Sequence, residues 1–270
     1  MDQFIRHSGI SLQGAQNNNG NRMVPAPGFW LEQPNLAALE IAAILGYRVI
    51  IIDMEHGVVT AESCNALVAQ ARAVGMTVLI RVAAAERILV QQALDYGADA
   101  VMLPMIRDAA HAADAAAYSK YPPLGTRGVG TGRAFGYGAY EAVESDFYGT
   151  ANLRTKCHVM IETAGALRDV EAIAALPAVD GLFVGPSDLS LALGRGPFRF
   201  TMEDENDFRT VARACRQKGK ALGLPAPNAR ALALAVSEGA DYVTISDDLT
   251  ALRTGLERAL AQFRDHKDSA

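Results

Sequence analysis

The sequence predicts an α/β protein, a single-domain (β/α)8 TIM barrel. Three observations predict it. Eight short, continuous apolar runs recur down the chain, each of the kind that forms a strand buried on both faces. Amphipathic, Ala-rich stretches lie between them, and several stop at a glycine (Gly46, Gly75, Gly97, Gly219, Gly239), where a left-handed helix end is favoured. The rival architecture, an open doubly wound sheet, would carry a GxGxxG turn after its first strand, and the sequence has none there.

The elements follow in order. Residues 1–25 include the polar, Asn-rich QGAQNNNGNR (13–22) and show no periodicity, so a flexible N-terminal arm is expected before a barrel domain over 26–265. GFWL (28–31) is the first run, followed by the helical LAALEIAAILG (36–46). VIIID (49–53) leads into AESCNALVAQARAVG (61–75), and TVLIR (77–81) into RILVQQALDYGA (87–98). AVMLP (100–104) is joined to HVMIE (158–162) by a much longer connection, which carries the Gly- and Pro-rich YPPLGTRGVGTGRAFGYG (121–138). A long structured connection of this kind serves function or an interface. GLFVG (181–185), the helical NDFRTVARACRQKGK (206–220), ALGLP (221–225) and YVTIS (242–246) complete the barrel.

Composition narrows the function. The chain has 270 residues, half of them hydrophobic, and a net charge of −5, which argues against binding nucleic acid or an anionic membrane. No apolar run approaches the roughly 18 residues of a membrane span. The N-terminal MDQFIRHSGISLQG lacks the apolar centre of a secretory signal, so a cytoplasmic protein is expected. Cys64, Cys157 and Cys215 are too far apart for a zinc motif, and their odd number is no disulfide framework.

In such a barrel the chemistry sits at the carboxyl ends of the strands. The second run ends in Asp53, followed by Glu55 and His56; the third ends in Arg81; the fifth in Glu162. The sixth ends at Gly185, followed by Pro186, Ser187 and Asp188. Glu162 and Asp188 come from neighbouring strands, about 4.8 Å apart. Close carboxylates repel unless a cation separates them, and a hard divalent ion of the Mg²⁺ or Mn²⁺ type would do so. The alternative is two independent acids, with Asp188 capping the helix LSLALG. Arg81 suits a carboxylate or a developing oxyanion; equally, it suits an internal salt bridge to Asp53 or Glu55. His56, among acids and an arginine, is placed to carry protons near neutral pH. His7, His111, His158 and His266 occupy tails, a helix or a strand's lower end. None of the five lysines (Lys120, Lys156, Lys218, Lys220, Lys267) ends a strand, which argues against Schiff-base chemistry. The last strand runs into Asp247 and Asp248, which would repel a phosphate.

These motifs resemble the HpcH/HpaI family of metal-dependent class II pyruvate aldolases. The resemblance runs from about Gly28 to Leu252 and rests on IIDMEHG (51–57), LIRV (79–82), ALDYGADAVMLPM (93–105), YPPLGTRGVG (121–130), MIET (160–163) and GPSDLS (185–190). It implies that Glu162 and Asp188 hold a divalent ion (Mg²⁺, Mn²⁺ or Co²⁺). It implies that the amides of Ser187 and Asp188, with Gly185 and Pro186, hold the substrate carboxylate. Arg81 would steady the enolate oxygen, and His56, supported by Asp53, would act as base and acid with a water on the metal. The implied reaction cleaves a 4-hydroxy-2-oxo acid reversibly to pyruvate, or a related 2-oxo acid, and an aldehyde. Asp95 matches a family aspartate that raises the histidine's basicity. It falls at the end of a helix near the barrel bottom, so it would act only across a subunit interface; otherwise it is a plain helix-end acid. Family members are homo-oligomers, commonly hexamers built as trimers of dimers with an exchanged terminal helix. Met160, Ser246 and the stretch RGPFRFTME (195–203) depart from the family pattern near the aldehyde end. The alternatives are a lyase acting on a CoA thioester, with only Arg195 and Arg199 as cations for its phosphates, and a non-catalytic oxo-acid binder. Oxaloacetate decarboxylation would follow as a side activity.

Overall fold

A computed structural model describes residues 24–139 and 146–267. Residues 1–23, most of the expected arm, lie outside the described residues. Eight parallel strands close into a barrel in chain order. They are β1 (Ala26–Leu31), β2 (Val49–Asp53), β3 (Thr77–Arg81), β4 (Ala100–Leu103), β5 (Lys156–Ile161), β6 (Gly181–Val184), β7 (Ala221–Pro225) and β8 (Tyr242–Asp247). The helices are α1 (Leu36–Ile44), α2 (Ala61–Ala73), α3 (Arg87–Asp95), α4 (Ala109–Ala117), α5 (Phe147–Arg154), α6 (Ala164–Arg168), α7 (Val170–Ala174), α8 (Pro186–Ala192), α9 (Met202–Lys218), α10 (Ala229–Glu238) and α11 (Asp248–Lys267). No described helix is long and apolar enough to cross a membrane.

Local chemistry sets the helix ends. Asn35, Thr60, Asp108, Thr201 and Asn228 each accept a hydrogen bond from a first-turn amide, which satisfies one donor with no partner inside the helix. Gly219 and Gly239 close α9 and α10 in the left-handed conformation.

Alternation along the strands makes two cores. Ile50, Ile52, Val78, Ile80, Val159 and Ile161 face the helices. Val49, Ile51, Leu79, Met102, Met160, Phe183 and Tyr242 form a separate cluster with Trp30 inside the barrel. At its lower end the ring of His158 bonds the Tyr242 hydroxyl at 3.1 Å. Gly181 and Gly223 make room for that pair: a Cβ at either would lie within 2.4 Å of the His158 or Tyr242 ring. Burial pushes His158 down to about 4, so the imidazole is neutral.

The lower rim is fastened by carboxylates. Asp99, Asp180 and Asp241 each precede an even-numbered strand, and each accepts a 2.8 Å bond from the amide of the second residue in the strand before, Val78, Cys157 and Leu222. Lys120, fully buried, reaches the carbonyls of Asn152 (3.0 Å) and Thr155 (2.5 Å) and the Asp180 carboxylate (2.7 Å). It ties the long β4–β5 connection to the barrel. That connection packs over α3 and α2: Gly128 donates to Gln91 of α3 at 2.5 Å and Arg133 to Asn65 of α2 at 2.9 Å.

α11 ends the fold differently. Leu252, Leu256, Leu260 and Phe263 recur along it at helical spacing, and its own barrel leaves all four exposed.

Candidate active site

The sequence places its candidate residues at the upper ends of β2, β3, β5 and β6, and the fold brings them to one mouth. Asp53 ends β2 and pairs in register with Arg81 at the end of β3. Glu162 directly follows β5, and Gly185 directly follows β6. The lysines lie elsewhere: Lys156 opens β5 at the lower rim, and Lys120, Lys218 and Lys220 belong to that rim as well.

Arg81 is nearly buried, and the salt bridge left open by the sequence is present in full. Its Nε donates to Asp53 Oδ1 at 2.9 Å and its Nη2 bonds Asp53 Oδ2. Nη1 lies 3.1 Å from Glu55 Oε2, close enough for an ion pair but off the line of a hydrogen bond, so that oxygen is buried without a donor. The guanidinium also stacks 4.9 Å above the Trp30 ring. Burial pushes the Asp53 carboxyl up, but the bond and charge of Arg81 and the Trp30 bond together hold it below the usual carboxylate range.

The contact between Asp53 and His56 runs through the backbone. Asp53 spends its oxygens on Arg81, on Trp30 Nε1 (3.0 Å) and on the amides of Glu55 (2.9 Å) and His56 (3.2 Å). It therefore orders the turn that carries the exposed His56 through the backbone. Gly57 closes that turn, because a Cβ there would lie 2.4 Å from the Asp53 carbonyl.

Glu162 is 1% exposed. Its Oε1 accepts the Met105 amide at 2.6 Å. Burial pushes its carboxyl up to about 7; the Met105 bond opposes this, the charges of Glu55 and Asp188 add to it, and Arg81 opposes it. Asp188 is in the first turn of α8, where it is half-buried. The capping alternative fails: the N-cap is Gly185, with no side-chain cap bond. Ser187 and Asp188 contribute amides from that first turn, where helical acceptors are lacking. Pro186 stands at its start, where a missing N–H costs nothing. Gly185 is obligatory for packing, since a Cβ would lie 2.6 Å from Glu162 Oε2.

Asp95 stands apart. It is the last residue of α3, at the lower end of the barrel, and it bonds Arg127 of its own chain at 2.8 Å. Arg127 is buried over the Tyr121 ring. Within one chain Asp95 is thus an anchor for the β4–β5 connection. The departing stretch 195–203 holds Phe198 and Phe200 against Phe208, and Arg195 is paired with Asp204 (3.3 Å) and Asp207 (2.6 Å).

Two site residues are not marked by the sequence. Trp30 and Met105 read as ordinary strand and loop apolars. Glu55, expected as an alternative salt-bridge partner of Arg81, is found in that place. The signal for Trp30 is its register opposite Ile51, which turns it into the barrel.

Comparison with known proteins agrees with this geometry. Residues 27–254 match the family model described as HpcH/HpaI aldolase/citrate lyase. The chain is 34% identical over 247 residues to a 4-hydroxy-2-oxovalerate aldolase of Novosphingobium aromaticivorans, covering 88% of this chain and 90% of the relative. It is 31% identical over 245 residues to a 2-keto-3-deoxy-L-rhamnonate aldolase of Klebsiella pneumoniae, covering 90% of each. A crystal structure of a family protein from Burkholderia cenocepacia superposes with a TM-score of 0.81 at 34% identity, covering 89% of this chain and 95% of that one.

Proposed function

The chain belongs to the HpcH/HpaI aldolase/citrate lyase family, and on that premise we propose that it is a class II pyruvate aldolase. It reversibly cleaves a 4-hydroxy-2-oxo acid to pyruvate, or a related 2-oxo acid, and an aldehyde. The observation that carries this reading is Glu162: a buried carboxylate whose Oε1 is bonded, whose Oε2 takes no hydrogen bond among the described residues, and which feels the negative charge of Asp188.

That donor set fits a hard divalent ion (Mg²⁺, Mn²⁺ or Co²⁺), for which Glu162 and Asp188 are the ligands. Among the described residues no three His, Cys, Asp or Glu side chains gather into a metal-binding group, so the reading rests on the Glu162 and Asp188 carboxylates alone. When bound, the ion supplies Lewis acidity that polarises the 2-oxo group.

The chain's own residues do the rest. The amides of Ser187 and Asp188, beside Gly185 and Pro186, hold the substrate carboxylate. His56 takes the proton of the 4-hydroxyl group as the C3–C4 bond breaks and the aldehyde leaves. Arg81, oriented by Asp53, Glu55 and Trp30, stabilises the negative oxygen of the enolate that remains. A proton returned to C3 completes pyruvate. The CoA-thioester reading loses support, because Arg195 is already neutralised by Asp204 and Asp207.

The enzyme acts in the cytoplasm as a homo-oligomer. The exposed Leu252, Leu256 and Leu260 of α11 support exchange of that helix between subunits, in the manner of a hexamer made of dimers. A role of Asp95 toward the histidine requires a neighbouring subunit, since within its own chain it lies at the other end of the barrel and bonds Arg127.

The test needs no knowledge of the aldehyde. Pyruvate is incubated with the protein in D₂O, with Mg²⁺ or with EDTA, and its methyl signal is followed by proton NMR. Metal-dependent loss of the signal is expected. No exchange of pyruvate, 2-oxobutyrate or oxaloacetate with any of the three ions would sink the proposal.

A further inference from the structure

Met105, just past β4, has a backbone φ of 51°. This is the left-handed region, which residues with a side chain enter rarely, and Met105 is not the Gly, Asn or Asp that tolerates it. Strain of this kind persists only where its surroundings over-determine it, and it gathers at functional sites.

The surroundings here are explicit. Thr163 Oγ1 donates to the Ile106 carbonyl at 2.6 Å. Gly165 packs so closely against the Arg107 carbonyl that a Cβ would lie 2.0 Å from its oxygen. The Ala109 amide donates to Asp169 at 3.2 Å. The segment after β4 is therefore stitched residue by residue to the segment after β5, which begins with Glu162. The result of the strained turn is one hydrogen bond, from the Met105 amide to Glu162 Oε1 at 2.6 Å. The other oxygen, Oε2, lies against Gly185.

From this geometry we infer that Met105 is a positioning residue for the metal-binding carboxylate. Its left-handed backbone aims an amide at Oε1, which fixes the rotation of the Glu162 carboxylate and leaves Oε2 for the ion. The role belongs to the backbone conformation, with the thioether incidental to it. The inference rests on the metal reading above. Outer partners of metal ligands act in this way by orienting the ligand.

Mn²⁺ binding to the full chain, followed by electron paramagnetic resonance of the free ion, tests it without turnover. Four proteins are compared: wild type, Glu162→Gln, Met105→Gly and Met105→Ile. Glycine keeps both the amide and the left-handed conformation, so Met105→Gly should bind within about threefold of wild type. A β-branched residue resists that conformation, so Met105→Ile should bind on the order of ten- to a hundredfold more weakly. Equal affinity of Met105→Ile and wild type would overturn the inference. So would a Met105→Gly protein as weak as Met105→Ile, since the side chain would then be what matters. If Met105→Ile does not fold, Met105 is replaced by its α-hydroxy acid, which puts an ester oxygen where the amide was; the same weakening is expected, and unchanged affinity overturns the role. Wild type that binds no Mn²⁺ would bring down the metal reading itself. Binding that Glu162→Gln abolishes but Met105→Ile leaves intact would bring down only the role of Met105.

Discussion

Two buried charges at opposite ends of this barrel, Lys120 and Glu162, are treated in opposite ways. At the lower rim, Lys120 is fully buried and saturated: two carbonyls and the Asp180 carboxylate surround its ammonium group. Asp99, Asp180 and Asp241 each bond a strand amide. At the mouth, Glu162 is equally buried but receives one amide, and Glu55 and Asp188 oppose its charge. Glu55 keeps an oxygen with no hydrogen bond. A buried charge is tolerated when its partners are complete and destabilises the fold when they are not. The complete set around Lys120 is structural, although Arg127 Nε and His158 Nε2 at the same end lack hydrogen bonds among the described residues; the incomplete set around Glu162 leaves a carboxylate oxygen for a ligand.

The largest expected effect breaks the mouth alone. Glu162→Gln should lower kcat/KM by about 10³-fold or more, since Lewis-acid stabilisation is worth several kcal/mol, while its melting temperature at pH 8 rises. A melting temperature that falls instead would show the carboxylate to be well compensated and erase the contrast. Arg81→Ala follows, with a loss in kcat on the order of 10²–10³, as for removal of an oxyanion donor. Steady-state kinetics that place the loss in KM alone would make Arg81 a substrate anchor. Lys120→Met should do the reverse. It should cost about 3 kcal/mol in urea unfolding, as for breaking a buried pair, and leave the turnover of the folded fraction near wild type.

A pH series sharpens the comparison at a smaller scale. The Glu162 carboxyl is raised from 4.5 to about 7, so the folded state holds its proton more tightly than the unfolded state. Its contribution to stability is fully present below pH 4.5 and is lost as the pH rises through 7. The total is at most about 3 kcal/mol. Chemical denaturation of metal-free protein between pH 5 and 8 should show that decline, and Glu162→Gln should remove it. Mg²⁺ binds the ionised form, so its affinity should climb over the same interval. The smallest effect is expected at Asp95. Asp95→Asn should lower stability by about 1 kcal/mol or less, the scale of a partly exposed pair. A large fall in kcat, with a shifted pH optimum, would show that Asp95 serves an active site in a neighbouring subunit.

Much of the fold was legible because period and punctuation agree. VIIID, TVLIR and ALGLP are strands with the bounds their apolar runs announce. The strand-end rule then placed Asp53, Arg81, Glu162 and Gly185 at one mouth, since inward positions alternate strictly. What escaped depends on three dimensions. The left-handed turn at Met105 has no glycine or asparagine to advertise it. Trp30 becomes a wall only through barrel closure. Asp95 meets Arg127 because a connection doubles back over α3. The last helix carries no assigned face in the sequence, and only the fold shows Leu252, Leu256 and Leu260 exposed along it.

The three aspartates of the lower rim carry one more lesson. Each also donates its own amide to the carbonyl of the residue its carboxylate grips: Asp99 to Val78 (2.9 Å), Asp180 to Cys157 (2.8 Å) and Asp241 to Leu222 (2.8 Å). The equivalent place before β2 is Arg48, whose amide bonds the Pro27 carbonyl at 2.9 Å. Proline has no N–H to offer, and here alone the aspartate is missing. Donor and acceptor are absent together there. Three of the four strand pairs are thus clasped at both carboxylate and amide, and the β1–β2 pair is held at that level, among the described residues, by the single Arg48–Pro27 bond.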